Sequence, residues 1–367
     1  MDRMYVQDCC EILDSLRVPI TAGDREGGEY PYYGANGIQD YVADYIFDDE
    51  LVLLAEDGGN FGSREKPIAY RVSGKCWVNN HAHVLKPKAG LDVDYLCYSL
   101  MFYKVDGMVN GATRQKLTQS AMRKMEIPLR SMEEQVHIID ELNRIVKIKK
   151  QRQLELQLLD DLIKARFVEM FGDPILNPKG YKKEPAESHI DLLSGYPFKS
   201  EQYVDEGVNI CGGLIIMPQN IKWEECMHWN STEGYEDYLL NENDIVIALD
   251  RPWISNGFKI AKVDAEHLPA LLIQRTARVR AIDMNQEYLY YCFINGRFES
   301  HSNVTGSLVP HISAKDIRSF EVMLPPMELQ NQFADFVHQV DKSKVAVQKA
   351  LEETQVLFDS LMQQYFG

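Results

Sequence analysis

The chain has 367 residues, 45% of them hydrophobic and 26% charged, which is enough for two globular cores. Its formal net charge of −16 argues against a protein that coats nucleic acid indiscriminately, because such proteins usually carry a basic excess. The seven cysteines contain no Cys-x-x-Cys pair, so neither a disulfide framework nor a zinc site is indicated. No apolar run reaches the roughly 18 residues of a membrane span, and we predict a cytoplasmic protein.

Residues 1–130 predict a first globular domain. Glycines and prolines separate short apolar runs such as residues 51–55, which is typical of an α+β domain rather than of a regular βαβ alternation. The glycine-rich stretch 57–62 follows a predicted strand but lacks the spacing and the helix of a phosphate-binding loop, so we expect a tight turn. Residues 93–103 have the apolar spacing of a helix.

Residues 131–172 predict a long helix. Ser131 and Glu134 have the spacing of a capping box, and no proline or glycine interrupts the segment before Gly172. About 40 residues at 1.5 Å each give a helix of about 60 Å. Apolar positions recur in alternating steps of four and three, as in a coiled coil. The expected seam is Ile138, Leu142, Ile145, Lys149, Arg152, Leu156, Leu159, Ile163, Arg166 and Met170.

Residues 173–325 predict a second globular domain after a short linker, and residues 326–367 predict a second long helix. The expected strands of this domain are 208–211, 245–248, 258–263, 271–279 and 320–324. The seam of the second helix is Phe333, Val337, Val340, Lys344, Val347, Leu351, Thr354, Phe358, Leu361 and Tyr365. Such stripes need a partner, so we expect two mixed domains joined by two antiparallel coiled-coil helices, with internal pseudo-twofold symmetry.

The expected symmetry depends on an internal repeat. Residues 111–172 align without a gap with residues 306–367, at a constant offset of 195. Upstream, residues 51–55 resemble residues 244–248 at an offset of 193. Identical pairs are Arg123/Arg318, Glu126/Glu321, Leu129/Leu324, Met132/Met327, Glu133/Glu328 and Gln135/Gln330. The globular parts of this duplication have diverged, whereas its helices are similar. This indicates two domains that recognise different targets on a common scaffold.

The sequence contains no recognisable catalytic motif. A DNA methyltransferase would need a glycine-rich cofactor loop after a strand and an Asn/Asp-Pro-Pro-aromatic strip, and neither is present. His81 and His83 would share one face of a strand, but no third ligand is close to them in sequence. We therefore predict no catalytic residue, no metal site and no cofactor on this chain.

Polar loops in equivalent places of the two domains favour a binding function. Asn and Gln can bind adenine bidentately and Arg can bind guanine, while basic side chains also contact phosphates. The candidate DNA contacts are Arg64, Lys66, Asn79, Asn80, Asn110, Thr113, Arg114, Gln115 and Lys116 in the first domain, and Arg251, Trp253, Lys259, Arg275, Arg278, Asn303, Thr305, Ser307 and His311 in the second. On the first helix, five basic residues within nine positions are either a solvated face or a phosphate contact: Arg144, Lys147, Lys149, Lys150 and Arg152.

Several motifs, in order and duplicated, resemble the DNA-specificity subunit of Type I restriction-modification systems. They are Leu-Arg-Val-Pro-Ile at 16–20, Tyr-Pro-Tyr-Tyr-Gly-Ala-Asn-Gly at 30–37, Tyr-Ile-Phe at 45–47, Ala-Glu-Asp-Gly at 55–58, Ile-Pro-Leu at 127–129, Glu-Glu-Gln at 133–135, Phe-Val-Glu-Met-Phe-Gly-Asp-Pro at 167–174 and Ser-Gly-Tyr-Pro-Phe-Lys-Ser at 194–200. The resemblance covers essentially the whole chain.

The resemblance implies that each domain reads one half of a split double-stranded DNA target and that the helical pair sets the unread gap. It also implies assembly with two modification subunits, which bind S-adenosylmethionine and methylate adenine, and with restriction subunits. Family members do no chemistry alone, which agrees with the missing catalytic motifs. Two other interpretations stay open, an enzyme in its own right and a scaffold whose loops read no DNA.

Overall fold

The computed structural model describes residues 2–63, 65–111, 114–302, 304 and 310–367. The chain forms two compact units, Met1–Leu154 with Gln348–Gly367, and Glu155–Val347. Each long helix therefore contributes one part to each unit, so the packing groups the chain differently from the four predicted segments. Within the described residues, no helix has an apolar stretch long enough to cross a membrane.

The first unit is built on a six-stranded sheet with the order β2-β7-β5-β6-β3-β4, in which only the β3–β6 pair is parallel. Two small antiparallel pairs, β1–β10 and β8–β9, accompany it. The strands are β1 (Arg3–Tyr5), β2 (Cys10–Ile12), β3 (Gly27–Gly34), β4 (Gly37–Val42), β5 (Phe47–Ala55), β6 (Ala69–Val78), β7 (Ala82–Pro87), β8 (Val109–Asn110), β9 (Lys116–Leu117) and β10 (Glu126–Pro128). The helices are α1 (Val6–Cys9), α2 (Val93–Met101), α3 (Gln119–Met122) and α4 (Met132–Phe171).

Strand β5 is the centre of this unit because apolar side chains cover both of its faces. Val52 and Leu54 belong to a core cluster with residues of α2, whereas Leu51 and Leu53 belong to a cluster with residues of β6 and β7. Successive side chains of a strand point to opposite faces, so burial on both sides produces a continuous apolar run. The predicted strand at 51–55 and the predicted helix after residue 93 are confirmed.

The part of α4 in the first unit pairs antiparallel with the last part of α8 (Met327–Phe366). Tyr365 donates a hydrogen bond to Glu141, and Arg152 donates to Thr354, so positions rise along one helix as they fall along the other. Three residues of the predicted seam are buried in the same cluster as Phe358: Ile138, Leu142 and Ile145. The capping box is also present, since the Ser131 and Glu134 side chains each accept a hydrogen bond from the other residue's backbone N–H.

The second unit contains a four-stranded sheet with the order β12-β22-β17-β20, a three-stranded sheet β16-β13-β21, and the pairs β11–β23, β14–β15 and β18–β19. The strands are β11 (Lys183–Pro185), β12 (Ile190–Ser194), β13 (Val208–Cys211), β14 (Ile216–Met217), β15 (Asn220–Ile221), β16 (Met227–Trp229), β17 (Ile245–Ala248), β18 (Trp253–Ile254), β19 (Gly257–Phe258), β20 (Ile260–Lys262), β21 (Ala270–Leu272), β22 (Thr276–Ala281) and β23 (Glu321–Met323). The remaining helices are α5 (Gln286–Asn295), α6 (Phe298–His301), α7 (Ala314–Ser319) and α8.

One predicted strand of this domain, 271–279, is wrong. The segment is split between β21 and β22, which lie in different sheets. Arg275, between the two strands, has a left-handed backbone with φ of 63°, which no extended strand accommodates. The predicted strand 258–263 is likewise divided between β19 and β20.

The two long helices also pair in the second unit, where Lys344 of α8 lies 2.6 Å from Asp160 of α4. The predicted seam is wrong at the end of α4, because Phe167 and Phe171 are fully buried instead of Arg166 and Met170. The ring of Phe167 stacks on Tyr288 of α5 with centroids 5.7 Å apart. The last turns of α4 thus pack into the core of the unit, and the buried face shifts by one residue.

A buried glutamine at the start of each long helix connects it to the shorter helix of the same unit. Gln135 accepts a hydrogen bond from the backbone N–H of Asp92 at 2.8 Å and donates to the carbonyl of Gly90. Gln330 accepts from the N–H of Asn285 at 2.9 Å and donates to the carbonyl of Pro325. The identical pair in the sequence repeat therefore has the same function in both units.

We expect Gln135→Ala to lower the free energy of unfolding by about 1–3 kcal/mol, because it removes a buried amide and leaves the partly buried Asp92 N–H without its acceptor. Urea unfolding followed by circular dichroism measures this change. Gln153→Ala is the matched control, since Gln153 is exposed on the same helix and its replacement should change stability by less than about 0.5 kcal/mol. Equal effects of the two substitutions would show that the buried amide contributes nothing beyond its helix propensity.

Candidate nucleic-acid interface

Three segments of the first unit meet where the central strand β5 ends, and backbone hydrogen bonds hold them together. The N–H of Glu56 donates to the carbonyl of His81 at 2.8 Å, and the N–H of Leu117 donates to the carbonyl of Glu56 at 2.7 Å. The N–H of Gly58 donates to Gln115 at 3.1 Å. We call this surface, residues 56–58, 79–81 and 114–117, the first edge.

The second unit repeats this frame at the end of β17. The N–H of Leu249 donates to the carbonyl of Arg275 at 2.9 Å, and the N–H of Ile312 donates to the carbonyl of Leu249 at 2.9 Å. The N–H of Arg251 donates to Pro310 at 2.7 Å. Each bond joins positions 193 to 195 residues after those of the first edge, and we call residues 249–251, 274–275 and 310–312 the second edge.

Both edges turn through a left-handed residue at the same place. Gly58 has φ of 63° and Arg251, its equivalent, has φ of 45°. Glycine adopts this conformation at the first position without steric cost, and a Cβ atom there would lie 3.1 Å from Nε of Arg114, so the Arg114 side chain would have to shift. At the second position a non-glycine residue keeps a conformation that costs about 1–2 kcal/mol, which is typical of functional positions.

Charged pairs cover the first edge. One carboxylate oxygen of Asp57 lies 2.9 Å from the Arg114 guanidinium and 2.6 Å from Nδ1 of His81. Glu56 pairs with Arg17 at 2.6 Å and with Lys116 at 2.9 Å. Burial raises the pKa of Glu56, but the hydrogen bonds from these two cations outweigh it, and the net pKa of this carboxyl lies below its ordinary value. Glu56 is therefore ionised at neutral pH.

A buried polar network supports the first edge from below. His83 lies between Asp14, 2.7 Å from Nδ1, and the carbonyl of Leu117, 2.9 Å from Nε2. Asp14 also accepts from the Val84 N–H and from Gln119. Burial raises the pKa of Asp14, but the hydrogen bonds from His83 and the other donors lower it by more. The net pKa of this carboxyl is therefore below its ordinary value.

The same network has the residue types of a metal site, but the ring nitrogens of its histidine already face hydrogen-bond partners. Donor atoms of Asp14, Glu56 and His83 lie within 4.8 Å of one another. A carbonyl oxygen can only accept, so Nε2 of His83 carries a proton towards Leu117 and offers no lone pair to a metal. Nδ1 of the same ring faces Asp14, so this group is a structural network.

Cations dominate the second edge. Arg275 pairs with Asp250 at 2.9 Å, and Arg251 is exposed beside them. Lys259 is buried and donates to the carbonyl of Gly213. Burial, together with the positive charge of Arg251, lowers the pKa of Lys259. The second edge therefore combines two arginines, Arg251 and Arg275, with one acid, Asp250, and the buried Lys259 interacts electrostatically with Arg251 and Asp250.

The predicted contacts of the first domain divide into surface and buried residues. Asn110, Arg114, Gln115 and Lys116 are exposed on one loop, and Asn80 is exposed in the turn before β7. Lys66 is exposed in the turn between β5 and β6. Asn79 is buried, and its amide is engaged by Gln39 and by the N–H of His81, so it has a structural role. Arg64 and Thr113 lie outside the described residues.

In the second domain, Arg251, Arg275 and His311 are brought together at the second edge. Trp253 stacks on Phe258 with ring centroids 5.2 Å apart and is partly buried. Arg278 is buried against Asp191, so its guanidinium supports the β12–β22 pair. Asn303, Thr305 and Ser307 lie outside the described residues.

The basic cluster on α4 is also divided. Lys149 donates to Gln355, and Arg152 donates to Thr354 and to the carbonyl of Ala350, so both hold the helix pair of the first unit. The other three residues are exposed: Arg144, Lys147 and Lys150.

Sequence reasoning missed the acids of the two edges. Asp57 and Asp250 are each the second residue after a central strand, at the same offset of 193 that relates those strands. This shared offset was a signal that could have identified them. Adjacent acids are more often solvated surface groups, and the cations that face Asp57 are distant in sequence, so the signal was easily overlooked.

Comparison with known proteins gives one family. The family model described as Type I restriction modification DNA specificity domain matches residues 2–158 and 196–355. The chain is 31% identical over 201 residues to the specificity subunit of Type I restriction enzyme EcoAI from Escherichia coli, covering 51% of this chain and 33% of that protein. It is 23% identical over 384 residues to the specificity subunit of Type I restriction enzyme MjaVIII from Methanocaldococcus jannaschii, covering 94% and 88%.

Coverage of the curated relatives is uneven. The chain spans 33% and 37% of the length of two relatives to which it is 31% and 34% identical. The fold is similar to the crystal structure of the Type-I restriction-modification system S subunit from M. genitalium, with a TM-score of 0.56 and 14% identity over 100% of this chain and 96% of that one.

The lowered pKa of Asp14 gives the network a defined pH dependence. A carboxyl whose pKa is lower in the folded state stabilises the protein above its unfolded value of about 3.9, and this stabilisation is lost as pH falls through the folded value. We expect Asp14→Asn to cost about 1–3 kcal/mol at pH 7, with the difference from wild type starting to shrink below about pH 4 and disappearing below the folded pKa of Asp14. Urea midpoints between pH 3 and 7 measure it. Asp106→Asn, at an exposed acid, is the control, and a pH-independent Asp14→Asn effect would contradict the ionised network.

Proposed function

The chain belongs to the family of Type I restriction modification DNA specificity domains, and from this premise we propose that it selects the DNA target of a Type I restriction-modification complex. In this proposal it has no catalytic residue of its own. Each of its two recognition domains binds one half of a bipartite double-stranded DNA sequence. The observation that carries the proposal is the repeated edge, one backbone frame that presents different polar side chains in the two units.

The chemistry of the two edges supports base and phosphate contacts. Their exposed amide and guanidinium groups can form hydrogen bonds with base edges, and their lysine and arginine charges can bind phosphates. Local positive charge at the second edge is compatible with the acidic chain, because charges beyond about 10 Å are screened at physiological salt. The proposed contacts are Asn80, Asn110, Arg114, Gln115, Lys116, Arg251, Arg275 and His311, together with Lys66 and with five residues that lie outside the described ranges and are proposed from the sequence alone: Arg64, Thr113, Asn303, Thr305 and Ser307.

The long helices are the proposed docking site for other subunits and the determinant of the gap between half-sites. Leu158 and Leu162, one turn apart on α4, are each about half exposed, which is unusual for a helix already paired along its seam. A solved structure with the same fold, at a TM-score of 0.54 and 15% identity, comes from work on complex assembly of the type I R-M system. We propose that two modification subunits carrying S-adenosylmethionine, and also restriction subunits, assemble with this chain in the cytoplasm.

Mapping methylated adenines across the genome, with and without this gene, tests the proposal. The gene of the modification subunit stays intact in both strains. We expect one split motif to lose its methylation when the gene is deleted and to regain it when the gene is restored on a plasmid. Persistence of every motif would contradict the role in target selection and would favour a scaffold.

The left-handed Arg251 gives a second test. We expect Arg251→Gly to raise the free energy of unfolding by about 1 kcal/mol, because glycine adopts φ of 45° without the steric cost. The same substitution should weaken DNA binding by the assembled complex and reduce the slope of log K against log salt by about one phosphate contact.

Arg297→Gly is the matched control for this prediction. Arg297 is also an exposed arginine with a left-handed backbone, φ of 51°, but its charge acts on Asp173 rather than on the second edge. Its replacement should stabilise the protein without changing DNA affinity. If Arg251→Gly stabilised the protein and left binding intact, the second edge would not contact DNA through this residue.

A further inference from the structure

Each edge carries one arginine that is held by an aspartate but remains exposed. Asp57 and Asp250 are largely covered, with 19% and 30% of their side chains accessible, whereas Arg114 and Arg275 have 59% and 74% accessible. Exposed ion pairs contribute only about 0–1 kcal/mol to stability. In these pairs the acid is fixed in the frame and the cation faces outward.

The guanidinium groups keep donors for a ligand. Among the described residues, the side chain of Arg114 donates only to Asp57, through one terminal nitrogen, and that of Arg275 donates only to Asp250, also through one. A guanidinium has five N–H groups in a rigid planar fork. The aspartate therefore orients the fork and leaves most of its donors free.

The carboxylate beside each arginine favours contact of that arginine with a base rather than with a phosphate. The pair has a net charge near zero, so its attraction to a phosphate is weak and the acid itself repels the anion. A guanine edge in the major groove is uncharged and offers two acceptors, O6 and N7, at the spacing of the guanidinium fork. Preorganisation also reduces the entropy lost on binding, which favours a geometrically demanding contact.

We propose that Arg114 and Arg275, held by Asp57 and Asp250, each read a guanine in the major groove, one in each half of the DNA target. The inference deepens the proposed function and depends on it. The two aspartates occupy equivalent positions, but the arginines do not, because Arg275 corresponds to His81 and lies in the turn before β22, whereas Arg114 lies in the loop before β9. The guanine therefore occupies a different place in each half-site.

The complex of this chain with its modification subunits tests the proposal on the methylated motif. Replacing one guanine at a time by 7-deazaguanine removes the N7 acceptor, whereas inosine keeps both O6 and N7. We expect 7-deazaguanine at one position of each half-site to weaken binding by about ten- to a hundredfold, and inosine there to weaken it far less. Arg114→Lys should cause a similar loss for one half-site, and Arg275→Lys for the other.

The decisive readout is the combination of variant and modified DNA. If Arg114 reads N7, Arg114→Ala and 7-deazaguanine remove the same contact, so their effects should not add. Additive effects, or a loss for Arg114→Ala that is equal for all sequences with a salt slope lower by about one, would assign the residue to a phosphate and overturn the inference. A wild-type complex without sequence preference would instead overturn the proposed function.

Two other arginine–acid pairs provide matched controls. Arg71 pairs with Glu50 in the middle of the β5–β6 pair, and Arg280 pairs with Asp244 at the opposite end of β22. Arg71→Lys and Arg280→Lys should leave the preference for guanine unchanged. Unfolding temperatures show whether each variant is folded, and the 7-deazaguanine series with the wild-type complex tests the proposal without any substitution.

Discussion

The candidate interface depends on the backbone hydrogen bonds that tie the end of a buried central strand to two neighbouring segments. In each unit the first residue after the strand donates one bond and accepts another, and the left-handed residue two places later donates a third. Backbone groups are common to all residues, so this frame does not depend on the side chains that it presents. Because the central strand is covered on both faces, its end is fixed, and the exposed side chains vary without moving it.

What lies beneath the frame differs between the two units. Glu56 and His83 are part of a charged network in the first unit, whereas the equivalent positions of the second unit are Leu249 and Ala277. A buried ionic network and an apolar core of similar shape are often comparable in stability. The same backbone geometry over both supports shows that the frame tolerates either. The charged network does, however, place acids close to the first edge, which makes that edge less basic than the second.

Sequence periodicity predicted the elements whose burial is regular. Apolar spacing predicted the central strands and most of the heptad seam, and the spacing of Ser131 and Glu134 predicted the capping box. The break at Arg275 and the shift to Phe167 and Phe171 did not, because a left-handed turn and the packing of α5 against α4 are set by contacts distant in sequence. For the same reason the sequence predicts a surface contact for Asn79, whereas its amide forms a hydrogen bond with Gln39 inside the fold.

The two edges show how a duplicated domain presents different side chains at little cost to its fold. The aspartate stays where the frame places it, since its position follows from the end of the strand. The arginine that pairs with it belongs to the loop before β9 in the first unit and to the turn before β22 in the second unit. Because different segments supply the arginine, the guanidinium lies at a different place on the surface of each unit, whereas the backbone hydrogen bonds are the same. The exposed residues can then diverge alone, and Arg251 and Arg275 are two positions of the second edge where a charged residue keeps a left-handed backbone.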